Sequence, residues 1–178
     1  MTLTKWTSAT AARRRSTMAK SYGGVRGGGG PSAIHGKIMS VIADIQRDGY
    51  SKQSPFTVGK VEADLKEYAS THGIDIGNGQ LYMSPKQIAH TMRDLHADKG
   101  IDISPARLAS FPERRRSMSL YHDSNGNKFV YFDGKVKYVV HPNYSLKLPT
   151  GKERVVNFIT AYTSSGTEFN QHNFTKIR

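Results

Sequence analysis

The chain has 178 residues, with 26 Lys and Arg against 14 Asp and Glu, a net charge of +12 and no cysteine. That excludes disulfides, thiolate metal sites and a cysteine nucleophile, and it points to a polyanion, nucleic acid first, as partner. A hydrophobic content of 37% and a mean hydropathy of −0.56 provide for one domain and a tail or two very small domains; no apolar run approaches the roughly 20 residues that span a bilayer.

Residues 1–32 read as a basic, glycine-rich arm. Arg13, Arg14 and Arg15 have no apolar stretch behind them, so this is no secretory signal. The arm is Ser/Thr-rich and free of acids, which superficially suits a transit peptide, but a disordered nucleic-acid-binding arm suits it better. "SYGGVRGGGGPS" holds six glycines in twelve residues, too costly in backbone entropy to order without a partner. Residues 33–79 read as a helical segment. Ile34, Ile38, Val41, Ile42 and Ile45 have amphipathic spacing, with Gly49 as the stop. A second helix is expected over Val58–Thr71.

Residues 80–178 read as an α+β domain. Ser84 and Pro85 start a third helix that runs to Gly100, and Ser104 and Pro105 start a short fourth that Pro112 ends. The period then falls from about 3.6 to 2. "SMSLYH", "KFVYF", "KVKYVVH" and "RVVNFITAY" are β-branched and aromatic, and Asn-Gly and Asp-Gly mark hairpin turns between the first three. "PNYSLKLPTGKE" reads as a connection, and "NQHNFTKIR" as a final strand or a tail. The expected fold is α+β: N-terminal helices, then a four- to five-stranded antiparallel sheet with the helices on one face.

On the third helix Lys86, His90 and Arg93 share a polar stripe, with His96 at its border. Imidazole exchanges protons near neutral pH, and guanidinium grips phosphate oxygens. An ordinary solvated helix face is the more economical reading of an isolated His/Arg pair. Along "KVKYVVH", Lys135, Lys137, Val139 and His141 alternate with Val136, Tyr138 and Val140, a cationic face against an apolar one. "NFITAYTSS" ends the last clear strand in hydroxyls, among them Thr160 and Tyr162, which could orient a phosphate or serve turn chemistry. Arg114, Arg115 and Arg116 read as a phosphate-contacting patch. The seven histidines show no metal spacing, and no cofactor motif appears.

"LYMSPKQIAHTMRDLHADKGIDISPARLASFPE", followed by "KFVYFDGKVKYVVH" and "NFITAYTSS", resembles the phage-associated branch of the barnase–EndoU–colicin–RelE nuclease superfamily over about residues 80–166. The resemblance implies a metal-independent endoribonuclease, toxin-like or phage-encoded, that cleaves by attack of the ribose 2′-OH. It matches His90 and His96 to helix histidines, Lys135 or Lys137 to a strand cation, and Thr160 and Tyr162 to late-strand hydroxyls. The family often has His-Pro after the helix; here Ala97 follows His96. On this reading His90, Arg93, Lys137, Thr160 and Tyr162 are catalytic and converge in one cleft. Lys135, Arg114 to Arg116 and Arg13 to Arg15 bind nucleic acid, RNA in preference to DNA, and no cofactor takes part. An acidic immunity or antitoxin protein is the implied protein partner, and a cytoplasm, the protein's own or a target cell's, the implied location. Two rivals stay open. One is a non-catalytic winged-helix-like binding protein with "PARLASF" in the major groove. The other is a basic virion or structural component.

Overall fold

Ser32 caps the first described helix. Its hydroxyl accepts from the backbone N–H of His35 at 3.2 Å, an N-cap that starts helix α1 (Ala33–Asp48). Gly49, at φ 79°, closes α1 in the left-handed conformation that glycine takes without a Cβ penalty. The computed structural model describes residues 32–93 and 103–178, and residues Pro31–Arg178 form one compact unit. The arm with Arg13, Arg14 and Arg15, and the segment with His96, lie outside the described residues.

The helix expected over Val58–Thr71 splits in two. Phe56–Lys60 is strand β1 and Ala63–Thr71 is helix α2. Thr57 and Val58 favour extended backbone, and Gly59 sits at φ 121°, which no right-handed helix accommodates. Strand β2 (Gln80–Met83) and helix α3 (Pro85–Thr91) follow. Ser84 caps α3 through Gln87 N–H at 3.4 Å, as its Ser-Pro start predicts. The expected run to Gly100 enters residues outside the description. Helix α4 (Pro105–Ala109) is capped by Ser104, and helix α5 (Phe111–Arg114) follows at once. Pro112 therefore opens a helix instead of ending one: a first turn needs no N–H from it.

After a 3-10 turn (Arg115–Ser117) come β3 (Ser119–Asp123), β4 (Lys128–Phe132), β5 (Val136–Leu148), β6 (Gly151–Thr163), a second 3-10 turn (Thr167–Asn170) and β7 (Phe174–Lys176). The sheet has seven strands in the order β1-β2-β6-β5-β4-β3-β7. It is mixed, because β2 pairs with β6 in parallel. The α+β class agrees with expectation; the strand count and the purely antiparallel pairing do not. Both differences come from β1 and β2, which lie in a stretch read as helix and loop. They tie the segment before residue 80 into the same sheet as the C-terminal strands. β5 and β6 are also longer than expected, 13 residues each. An irregularity between His141 and Tyr144 absorbs Pro142, which has no N–H for the ladder.

All five described helices contribute to one core on one face of this sheet. Ile38, Leu65, Ile88, Leu108 and Phe111 from the helices, with Tyr138 and Phe158 from the strands, are each 0% exposed. Phe111 stacks on Tyr138 with ring centroids 4.6 Å apart, and both rings bury a large apolar area. The sheet curls round this core. The Tyr131 hydroxyl on β4 donates to Glu62, just past β1, at 2.6 Å. Glu62 pairs with Arg115 at 2.7 Å, and Arg115 donates to the carbonyl of Lys60 at 2.9 Å. An edge strand is thus fastened across the core to the middle of the sheet, and its carbonyls are capped.

Candidate nucleic-acid interface

Strand alternation puts every second side chain on the face away from the helices. The registers align these side chains in rows. One row runs Ser119, Phe132, Lys137, Tyr162 across β3 to β6, and the next runs Tyr121, Val130, Val139, Thr160. In a third, His141 on β5 faces Asn157 on β6, which pairs with Tyr82 on β2.

Residues 164–173 cross this face from β6 to β7 as a strap. Phe169 stacks on Tyr121 at 4.1 Å and meets Phe132 at 5.0 Å and Phe174 at 5.1 Å. Gly166 lets the strap lie close: a Cβ there would sit 2.9 Å from Phe132 Cε1. Glu168 accepts from Lys137 Nζ at 2.5 Å and from Ser164 Oγ at 2.6 Å. Lys137 Nζ also lies 4.4 Å from the centre of the Tyr162 ring, a cation–π distance. Burial works against the charge of Lys137, but Glu168 and Tyr162 outweigh it and raise the pKa. Burial likewise opposes the charge of Glu168, yet Lys137 and Ser164 hold its pKa below the ordinary carboxylate value.

The hydroxyls of "AYTSS" therefore divide by role. Ser164 accepts from Gly166 N–H at 2.9 Å and Ser165 meets Thr167 at 3.0 Å; both are turn chemistry. Thr160 is different. Its Oγ1 is buried without a hydrogen-bond partner, as is Oδ1 of Asn157. A buried polar atom left without any partner costs about 1–3 kcal/mol, so each of these two atoms calls for a partner from outside the protein, an ordered water being the simplest.

The expected convergence of His90 with Thr160 is not delivered. Ile88 holds α3 in the same core as Tyr138 and Phe158, on the helix-bearing face. Thr160 pairs with Val139, in phase with Lys137 and Tyr162, on the opposite face. The sheet stands between them. Arg93 is exposed just after α3, on the helix side of the chain. Lys137, Thr160 and Tyr162 do share a face, but Lys137 is already neutralised by Glu168.

The basic patch also divides. Arg115 is 3% exposed and bound to Glu62, so it holds the fold and presents no surface charge. Arg116 is exposed. Arg114 is half exposed, 3.7 Å from Asp133. Lys135 is exposed in the turn before β5, not on the strand, with its N–H bonded to Asp133 at 3.0 Å. The segment "PARLASF" of the winged-helix reading is divided between two short helices, and Leu108, Ala109 and Phe111 face the core at 0% exposure.

His141 is the residue that the helix-centred reading passed over. It is half-buried on the helix-free face. Burial lowers its pKa, and Lys128 and Arg154 lower it further, so at neutral pH it is an unprotonated imidazole. Tyr144 lies edge-on to it at 6.0 Å. Its signal was present in the sequence, in the alternation that sets His141 in phase with Lys137. Among the described residues no group of three His, Asp or Glu is placed to hold a metal ion, and no helix is long and apolar enough to cross a membrane. No family model matches the chain, and no curated protein or solved structure matches it.

Proposed function

We propose that the protein engages single-stranded RNA on the helix-free face of its sheet and cleaves it there as a metal-independent endoribonuclease, with His141 in place of His90 as the proton-transfer group. The observation that carries the reading is the placing of a neutral, half-buried His141 on the same face as Lys137, Thr160 and Tyr162, beside the charges of Lys128 and Arg154. A net charge of +12 draws the phosphate backbone in.

Cleavage by the ribose 2′-OH needs a base for that hydroxyl, a donor for the departing 5′-oxygen and positive charge at the phosphorane. His141 Nδ1 accepts from the backbone N–H of Asn143 at 3.3 Å; it must exchange that donor for the ribose 2′-OH, whose proton it then takes. The attacking oxygen bonds to phosphorus, the P–O5′ bond breaks, and a 2′,3′-cyclic phosphate and a 5′-OH end result. Tyr144 offers a hydroxyl to protonate the leaving oxygen. Lys128 and Arg154 supply charge, and Tyr162, half-buried on the same face, is the hydroxyl placed to orient the phosphate.

Total RNA incubated with the protein in EDTA should yield fragments ending in 2′,3′-cyclic phosphate. His141→Ala should cut the rate roughly 10²–10⁴-fold, the usual worth of a general base, with binding little changed; His90→Ala should leave the rate within a few-fold. Because the base must be deprotonated, the rate should rise with pH through a midpoint below the ordinary histidine value of 6.5. Tight binding with no cleavage, equal in both variants, would leave the binding-only reading, which the neutralised Lys137 favours.

A further inference from the structure

A cavity of about 400 Å³ opens where β3 and β4 meet the 3-10 turn, lined by Arg114, Ser117, Ser119, Tyr121, Phe132 and Asp133 among others. Its volume lies within the usual range for small-ligand sites. Its wall has two chemistries. Tyr121 and Phe132 give an aromatic side, and the strap holds both rings through Phe169. Arg114, Ser117 and Ser119 give a cationic, hydroxyl-bearing side.

The charges sort by what is already satisfied. Asp133 is 3% exposed at its side chain and takes Arg107 at 2.7 Å. Its other oxygen accepts the N–H groups of Val136 at 2.8 Å and Lys135 at 3.0 Å. Burial raises the Asp133 pKa, but those bonds overrule it and leave the carboxylate ionised. With Arg107 and two amides on it, Asp133 does not need Arg114, which stands at 3.7 Å, beyond hydrogen-bond reach, with its side chain 48% exposed. The Arg114 fork is therefore open to an anion.

An anion beside two aromatic rings, in a space of one nucleotide, describes a single ligand class. We propose that this cavity binds a phosphate-bearing terminal nucleotide, its phosphate on Arg114 and Ser119 and its base against Tyr121 and Phe132. The site lies in the rows of Ser119 and Tyr121, on the same face as His141, on the two strands next in order after the one that carries it. It rests on the reading of RNA as partner and adds to it an end-recognition subsite: the strand that crosses the face is anchored by its terminal phosphate.

The test uses the full-length protein and pairs of short oligoribonucleotides, identical except for a 5′-phosphate or a 5′-hydroxyl, with a 3′-phosphate pair alongside. A 2′-O-methyl group at every position gives uncleavable versions that keep the ribose oxygen. One of the phosphorylated forms should bind roughly tenfold to a hundredfold more tightly, the worth of one charge-assisted contact. Arg114→Ala should abolish that ratio and Tyr121→Ser should weaken binding of both forms. Lys66→Ala, on α2, should do neither. Nucleoside monophosphates titrated alone should shift the NMR signals of Ser119, Tyr121 and Phe132. That arm stands even if no RNA is cut or bound, so the cavity and the RNA reading fail separately. Equal affinity for both ends of each pair, or monophosphate shifts that persist in Arg114→Ala, would overturn the proposal.

Discussion

The two faces of the sheet use charge in opposite ways. On the helix-bearing face, Arg115 and Glu62 pair at 2.7 Å with side chains 3% and 9% exposed, and the carbonyls of β1 and the Tyr131 hydroxyl complete the network. On the helix-free face, Lys137 and Glu168 pair at 2.5 Å with side chains 13% and 22% exposed. There the carboxylate comes from a strap that lies on the sheet and belongs to no layer of helix. The first pair fixes an edge strand to the fold. The second holds a short cover on the helix-free face, where Thr160 Oγ1 and Asn157 Oδ1 are buried without a protein partner.

The largest way to break this contrast is Arg115→Met. It leaves Glu62 buried without its cation, and the expected loss is about 3–5 kcal/mol, read from urea denaturation. Adding Glu62→Leu should restore much of that, because removing both charges also removes the desolvation they suffer. Recovery in the double variant would show that the pair costs more to break than it contributes. Phe169→Ala comes next. Removing a half-buried ring that touches Tyr121, Phe132 and Phe174 should cost about 2–3 kcal/mol and raise hydrogen exchange in residues 164–173 and β7 ahead of the rest. Uniform exchange would mean that the strap and the core unfold together.

The smallest effect belongs to Glu168→Gln, about 1 kcal/mol or less for a partly exposed pair. Its pH dependence is more informative than its size. The folded pKa of Glu168 lies below the ordinary value of 4.5, so its contribution is full above that value and is lost as pH falls through the folded pKa. The native protein should therefore lose the difference from Glu168→Gln below about pH 4.5. His141 adds a separate slope. With its folded pKa below 6.5, the unfolded chain binds more protons, so stability declines as pH drops through that range. His141→Gln should flatten the decline while leaving the Glu168 step in place.

Much of the fold was readable where local rules act alone. Gly49, Ser84 with Pro85, and Ser104 with Pro105 marked helix ends because a cap needs only its own turn; the cap at Ser32 went unread inside the glycine-rich arm. The alternation of "KVKYVVH" marked a two-faced strand, and the Asp-Gly and Asn-Gly turns lay between strands as their geometry demands. Thr160 and Tyr162 shared a face because strand period alone sets it, and the register of β5 on β6 added Lys137 to them. The remainder was not legible locally. Val58 and Val61 fit a helical stripe and a strand equally, and only the pairing of β1 with β2 decided between them. Arg115 sits between Arg114 and Arg116 in an even run of charge, and nothing short of packing says that it alone is buried.

What the sequence determined, then, was composition-level charge, the class of fold, the helix caps and which residues alternate together. The tertiary structure decided on which side of the sheet each group stands. A helix wheel places His90 relative to its own axis, and strand alternation places Thr160 relative to its own strand, but neither relates the two. That relation depends on the face against which Ile88 packs and on the irregularity in β6, between the partners of Val139 and Val140, that brings both Phe158 and Ala161 into the core. Long-range packing settled both, and with them which candidate residues share a face.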